Sequence, residues 1–209
     1  MATVPAHPVS LSNPSLLGFL VVVACDCAFV GYFTLRPRPK SDRPRRAALS
    51  IAGIVLQALA CALVGNLHRP PTTPIFPVPP PVEVGLAGLA SALAVGSLWL
   101  CIAAVTALGK QWTYVAEVGE GHQLVTRGPY GWLRHPIYAG MTGLVIASAL
   151  AVTRWWAVPI VVGLQLAGSW VRARAEDRLL RLAHGPSFDA YAAKVPALVP
   201  RPGRHAAAS

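Results

Sequence analysis

Two polar groups stand out in an otherwise apolar chain. Arg134 and His135 come directly before Pro136, and Arg172-Ala173-Arg174-Ala175-Glu176-Asp177 follows the last apolar run. Proline is tolerated in the first turn of a helix, so Pro136 predicts a helix that begins beside His135. The free N–H groups and positive dipole end of that helix, joined by the Arg134 guanidinium, suit a carboxylate or phosphate. His135 and Tyr138 are three apart and share a helical face, and Gly140 and Gly143 leave room for a ligand or a neighbouring helix. The rings of Tyr130, Trp132 and Tyr138 suit a cationic or planar ligand. Arg172 and Glu176 are four apart, an ion pair worth only about 0.2–0.5 kcal/mol if exposed. A cation and a carboxylate beside an anion-binding helix start could receive two polar groups of one cofactor. The same residue types also serve as interfacial anchors and as a solvated charged face, so spacing alone leaves both readings open.

The elements that must position these groups are membrane spans. Leu16 to Leu35, Ala47 to Leu67 and Val84 to Leu108 are apolar runs of spanning length, and Ile137 to Val152 and Trp155 to Val171 are two shorter ones. The short pair is joined only by Thr153 and Arg154, which predicts a tight helical hairpin with Trp155 and Trp156 at an interface. Between the second and third runs lie Pro70, Pro71, Pro74, Pro77, Pro79, Pro80 and Pro81, a stiff extended connector. Gly128-Pro129 signals a turn within the polar stretch Gly109 to His135. From Arg172 onward the sequence reads as a tail whose first half is amphipathic, with Leu179, Leu180 and Leu182. Asp26, inside the first run, should be neutral or paired with a polar group; Gln57, Asn66 and Gln165 should bond between helices. Glu117 and Glu120 read as a solvated loop.

Composition supports this organisation. Of 209 residues 54% are hydrophobic and 12% charged, too few charges to cover a soluble globule. The net charge of +10 would suggest nucleic acid in a soluble protein. Here every Lys and Arg except Arg69 and Arg154 falls on one side of a five-span arrangement, so the excess marks topology: N-terminus outside, polar groups in the cytoplasm. The fold expected is all-α and polytopic, with residues 1–108 forming three helices and residues 109–209 a core of loop, hairpin and tail. The four cysteines lie in apolar runs and form no metal pattern.

At this point the sequence resembles the isoprenylcysteine carboxyl methyltransferases and their bacterial relatives. The resemblance covers about half the chain: Ala107-Leu108-Gly109-Lys110-Gln111-Trp112, then Arg134-His135-Pro136-Ile137-Tyr138-Ala139-Gly140, Glu176, His184-Gly185, Tyr191 and Val195-Pro196-Ala197-Leu198-Val199-Pro200. The first three runs carry no matching motif. The resemblance implies a membrane enzyme that binds S-adenosylmethionine on the cytoplasmic side, between the last two helices and the tail. Carried over by position, the cofactor contacts are His122, Gln123, Leu124, Val125, Tyr130, His135, Pro136, Ile137, Tyr138 and Glu176, with Arg134 added by the anion-site argument. Arg172 falls where the family places a substrate-contacting arginine, and an orienting role suits it. A carboxylate acceptor, with a reference pKa of about 4, is already ionised near neutrality, so no base is assigned.

The eukaryotic members have more spans and a longer acidic run than Glu176-Asp177, so the acceptor expected is a lipophilic carboxylate, isoprenylcysteine-like or a small lipid. The Ala/Arg/Gly/Pro-rich composition looks bacterial and places the chain in a cytoplasmic membrane. Two other readings compete. An NADPH-dependent sterol-type reductase shares the Arg-His-Pro-x-Tyr turn but usually carries an acidic residue where Met141 stands; a non-catalytic scaffold would use the basic surface for anionic lipid.

Overall fold

A computed structural model describes residues 13–36, 45–46, 48–109, 117–118 and 124–200. Among the described residues six α-helices form in chain order: α1 Pro14–Leu35, α2 Ala48–Asn66, α3 Pro80–Leu108, α4 Pro136–Val152, α5 Val158–His184 and α6 Pro186–Lys194. A two-residue antiparallel pairing, Arg45–Arg46 with Glu117–Val118, accompanies them. Among the described residues, α1, α2 and α3 are the helices long and apolar enough to cross a membrane, and α4 is a shorter apolar helix. Large apolar side chains such as Leu35, Val55 and Trp99 face outward, the arrangement of helices solvated by lipid.

The helices associate through small residues. α3 packs along α4, α2 along α5, and α1 against α3. A Cβ on Gly168 would stand 2.7 Å from the Gly53 carbonyl oxygen, and one on Gly53 would stand 2.5 Å from Cγ of Arg172. Gly140 and Gly143 are closed in the same way against Ser97 and Cys101 of α3. Glycine is required here because lipid gives helices little hydrophobic reason to associate, so close backbone approach must do it. Of the polar residues inside the bundle, Asp26 accepts a 2.8 Å bond from Ser148 and Gln57 donates to Ser169 at 3.0 Å, both between helices. Asn66 instead bonds the Ala62 carbonyl of its own helix.

One end of the bundle is sewn together by the proline-rich connector. Asn13 caps α1 and donates to the Thr72 carbonyl at 3.0 Å, and Ser15 bonds Glu83 at 2.6 Å. Arg69 donates to the carbonyls of Thr73, Thr153 and Leu150 at 3.1, 2.6 and 2.8 Å. The tip of the α4–α5 hairpin therefore reaches the connector, so the hairpin runs the full height of the bundle. A 3-10 turn, Trp155–Ala157, lies between the tip and α5, and Trp155 meets Phe76 of the connector.

Three expectations need correction. α3 begins at Pro80, not Val84, because two prolines fit a first turn and the connector ends there. The helix predicted to end at Val171 continues to His184, since nothing between Arg172 and His184 breaks it; the amphipathic first half of the tail is the end of α5. Glu117 is not simple loop, because its backbone pairs with Arg46. Glu120 lies outside the described residues.

Candidate functional site

The site forms at the opposite end of the bundle. Gly128, with φ +61°, opens a 3-10 turn over Gly128–Gly131, and the Pro129 carbonyl accepts from Trp132 and Leu133. The turn delivers the chain to His135, which precedes α4 in a non-helical conformation, with Pro136 in the first turn. From the other direction α5 ends at Gly185, φ +51°, and α6 follows. Residues after α6 then fold back as a strap: Arg134 N–H donates to Pro196 O at 2.9 Å and His135 N–H to Ala197 O at 3.0 Å.

Those bonds change what the helix start can offer. The Arg134 guanidinium donates to the Ala192 and Val195 carbonyls at 3.0 and 2.5 Å and pairs with Asp177 at 2.9 Å. It clasps the strap and is not aimed at an open anion site. The first-turn N–H groups of Ile137 and Tyr138 have no preceding carbonyl of α4 to accept them.

His135 is buried between two carboxylates. Nδ1 lies 3.2 Å from Glu176 and Nε2 lies 2.8 Å from Asp177. Burial alone would lower its pKa, but the bonds to Asp177 and Glu176 outweigh that and lift it to about 9, so the ring is an imidazolium at neutral pH. Burial likewise opposes charge on the partners, yet His135 holds Glu176 below its ordinary value, and His135 with Arg134 holds Asp177 at about 2. The Glu176 side chain keeps a third of its surface exposed and is the open edge of the cluster. Tyr130 is buried nearby; burial and then the Glu176 charge push its phenol up. The carbonyl of Tyr130 accepts from Tyr191 at 2.7 Å.

A second layer runs toward the membrane interior. The Tyr138 ring lies between His135, stacked at 5.6 Å, and the Arg172 guanidinium at 4.5 Å. Arg172 is buried and donates to Gln57 Oε1 at 2.7 Å. Ser169 and Thr142 continue the chain at 3.0 Å, and Thr142 bonds the Tyr138 carbonyl.

The structure thus brings together Tyr130, Arg134, His135, Pro136, Ile137, Tyr138, Arg172 and Glu176. Leu124 and Val125 are half-buried ahead of the turn, and His122 and Gln123 lie outside the described residues. The three rings do not form a cage, because Trp132 points outward at 58% exposure while Tyr138 is covered by its own neighbours. Sequence reasoning missed Gln57, Ser169 and the counterion role of Asp177. Asp177 was visible only as the neighbour of Glu176, and Gln57 only as a polar residue in an apolar run.

The phospholipid methyltransferase family model matches residues 86–187. That stretch, just under half the chain, runs from α3 to the start of α6 and contains the whole His135–Glu176 cluster; it points to a membrane methyltransferase. The chain is also 35% identical over 114 residues to the nickel-cobalt-cadmium resistance protein NccN of Alcaligenes xylosoxydans xylosoxydans, covering 54% of this chain and 51% of that protein. It is 37% identical over 111 residues to the cobalt-zinc-cadmium resistance protein CzcN of Cupriavidus metallidurans, covering 52% and 49%. The chain spans about half the length of these curated relatives. Among the described residues, no group of three or more His, Cys, Asp and Glu could hold a metal ion.

Proposed function

We propose that the chain is an integral membrane methyltransferase that uses S-adenosylmethionine at the tail end of α4 and α5 and methylates the carboxylate of a lipophilic acceptor. The observation that carries this reading is the buried His135–Glu176–Tyr138–Arg172 cluster, placed at a helix start and inside the stretch matched by the family model. The donor set fits the cofactor. The first-turn N–H groups of Ile137 and Tyr138, at the positive end of α4, suit a methionine carboxylate. Glu176, open on one edge, suits an amine or ribose hydroxyl. His135 holds Glu176 in place through its imidazolium rather than meeting the cofactor directly.

S-adenosylmethionine supplies an electrophilic methyl on a sulfonium. Arg172, fixed by Gln57 and the Tyr138 ring, orients an acceptor carboxylate that arrives from the lipid side. Held by Glu176 and the first turn of α4, the cofactor would supply its methyl to that carboxylate, and the opposite charges of the two partners would cancel. A poorly hydrated setting favours such a reaction over its separated ions, so alignment and desolvation replace a general base. The cation asymmetry supports a cytoplasmic site and an external N-terminus, and the Ala/Arg/Gly/Pro-rich composition suits a bacterial cytoplasmic membrane.

The test is calorimetric titration of S-adenosylmethionine into detergent-purified protein, with NADPH in parallel. Glu176→Ala and His135→Ala are each expected to weaken S-adenosylmethionine binding at least about tenfold, a loss of about 1.4 kcal/mol. No affinity for S-adenosylmethionine, or affinity indifferent to both changes, overturns the reading; NADPH binding instead would favour a reductase.

A further inference from the structure

α1 packs on α3 and α4 while α2 packs on α5 and α4, which leaves a seam between α1 and α2. A cavity of about 290 Å³ occupies that seam, room for roughly ten groups of water's size at about 30 Å³ each. Two lining residues, Val30 at 57% exposure and Cys61, lie at the molecular surface, so the cavity opens sideways toward lipid. Its wall is mostly apolar. Among the described residues Asp26 is the only acidic group that lines it, and no Lys, Arg or His does.

Asp26 is poorly answered there. Ser148, which also lines the cavity, brings its hydroxyl to Oδ2 at 2.8 Å, but the same hydroxyl lies 2.9 Å from the Leu144 carbonyl and has one hydrogen to divide between them. Oδ1 has no hydrogen-bond partner among the described residues, and with Asp26 half-buried it is not shut away like the unmet buried atoms elsewhere in the bundle. A carboxyl group among apolar side chains in lipid is costly unless it is paired. A metal ion would find too few ligands, since no group of three or more His, Cys, Asp and Glu gathers among the described residues. Along α4, Ser148 lies ten residues beyond Tyr138, about 15 Å, so this place is separate from the His135–Glu176 cluster.

We propose that the cavity is a lipid-side binding site for an alkyl amine, with the nitrogen on Asp26 and the chain along the apolar wall. The site stands whether or not the chain binds S-adenosylmethionine. An amine and a carboxyl hold one ionisable proton between them; it rests on the nitrogen, and the resulting ammonium–carboxylate pair is neutral as a whole. Charge-assisted bonds are about twice as strong as neutral ones, so an alcohol of the same length is the poorer occupant. The net charge of +10 repels ammonium groups in general, so a preference for the amine has to come from a local anion.

The test titrates tritiated dodecylamine and dodecanol at pH 7 onto the full chain in detergent, read by scintillation proximity with empty micelles subtracted. The wild type is expected to bind the amine at least tenfold more tightly than the alcohol, and Asp26→Asn to bring the ratio near one. Asp189→Asn, which removes an exposed acid outside the cavity, should keep the tenfold preference. Cys61→Trp fills the mouth from an exposed position that the fold tolerates, and should weaken amine binding at least tenfold; it decides the matter should the Asp26 variant fail to fold. Equal affinity for the two probes in the wild type overturns the proposal and makes the cavity an unselective void. An amine preference that survives Asp26→Asn, or amine binding indifferent to Cys61→Trp, overturns it as well. S-adenosylmethionine affinity on the same samples keeps the two ideas apart: an Asp26-dependent amine preference without cofactor binding supports this site and sinks the methyltransferase reading, and cofactor binding without the preference does the reverse.

Discussion

Each end of the bundle is held by one arginine, and the two arginines are held differently. Arg69, at the connector end, is satisfied by three backbone carbonyls. Burial without a counterion there pulls its pKa down to about 10. Arg134, at the tail end, grips two carbonyls as well, but its third partner is Asp177, which is itself shared with His135. The first clasp is a fixed closure made of main chain. The second is wired into ionisable side chains, so the same closing device becomes one that responds to protons. The proposed chemistry falls where the clasp borrows side chains that can also do something else.

The sharpest way to break that contrast is to cut the tail clasp. Arg134→Ala leaves the largely buried Asp177 with His135 as its remaining partner and frees two carbonyls, and should cost about 3 kcal/mol, at the low end for breaking buried ion pairs; thermal unfolding in detergent measures it. A cost below that expected for Arg69 would end the distinction. Next comes pH. The folded pKa of His135 is about 9 against an ordinary value of 6.5, so its stabilisation is complete below pH 6.5 and is lost as pH rises through 9. The full swing is about 3 kcal/mol. Asp177, lowered from 3.8 to about 2, contributes above pH 3.8 and fails as pH falls through 2. Melting temperature should therefore hold between these limits and decline toward pH 9, and His135→Gln should abolish the alkaline decline. Arg69 has the opposite sign: a depressed cation pKa means its burial penalty eases only above pH 10. Arg69→Met should cost less than the tail variant, about 2 kcal/mol for its lost charge-assisted bonds, with no new pH step in the same melting series. At the small end, Arg181 and Asp189 pair at 2.7 Å but are more than half exposed, so Arg181→Gln should leave the melting temperature unchanged.

Much of this was legible in the sequence because lipid leaves so few options. Apolar run length located α1, α2 and α4 to within a few residues, and Pro136 marked the start of α4. What was not legible depends on partners far apart in sequence. Nothing in Arg134 distinguishes a guanidinium that awaits an anion from one already engaged by Asp177 and the strap. The continuity of α5 past Arg172 was missed because the change from apolar to charged residues marks a membrane boundary, not a helix boundary. His135, Tyr138 and Glu176 were visible as a set through motif order, whereas Gln57 enters only because α2 packs on α5.

The strap has a consequence in time. Residues 196 and 197 close over the N–H groups of Arg134 and His135, sixty-odd positions upstream. During synthesis the helices that carry His135 and Glu176 are therefore complete before the segment that finishes their surroundings. The two main-chain bonds that close this end of the bundle therefore form last.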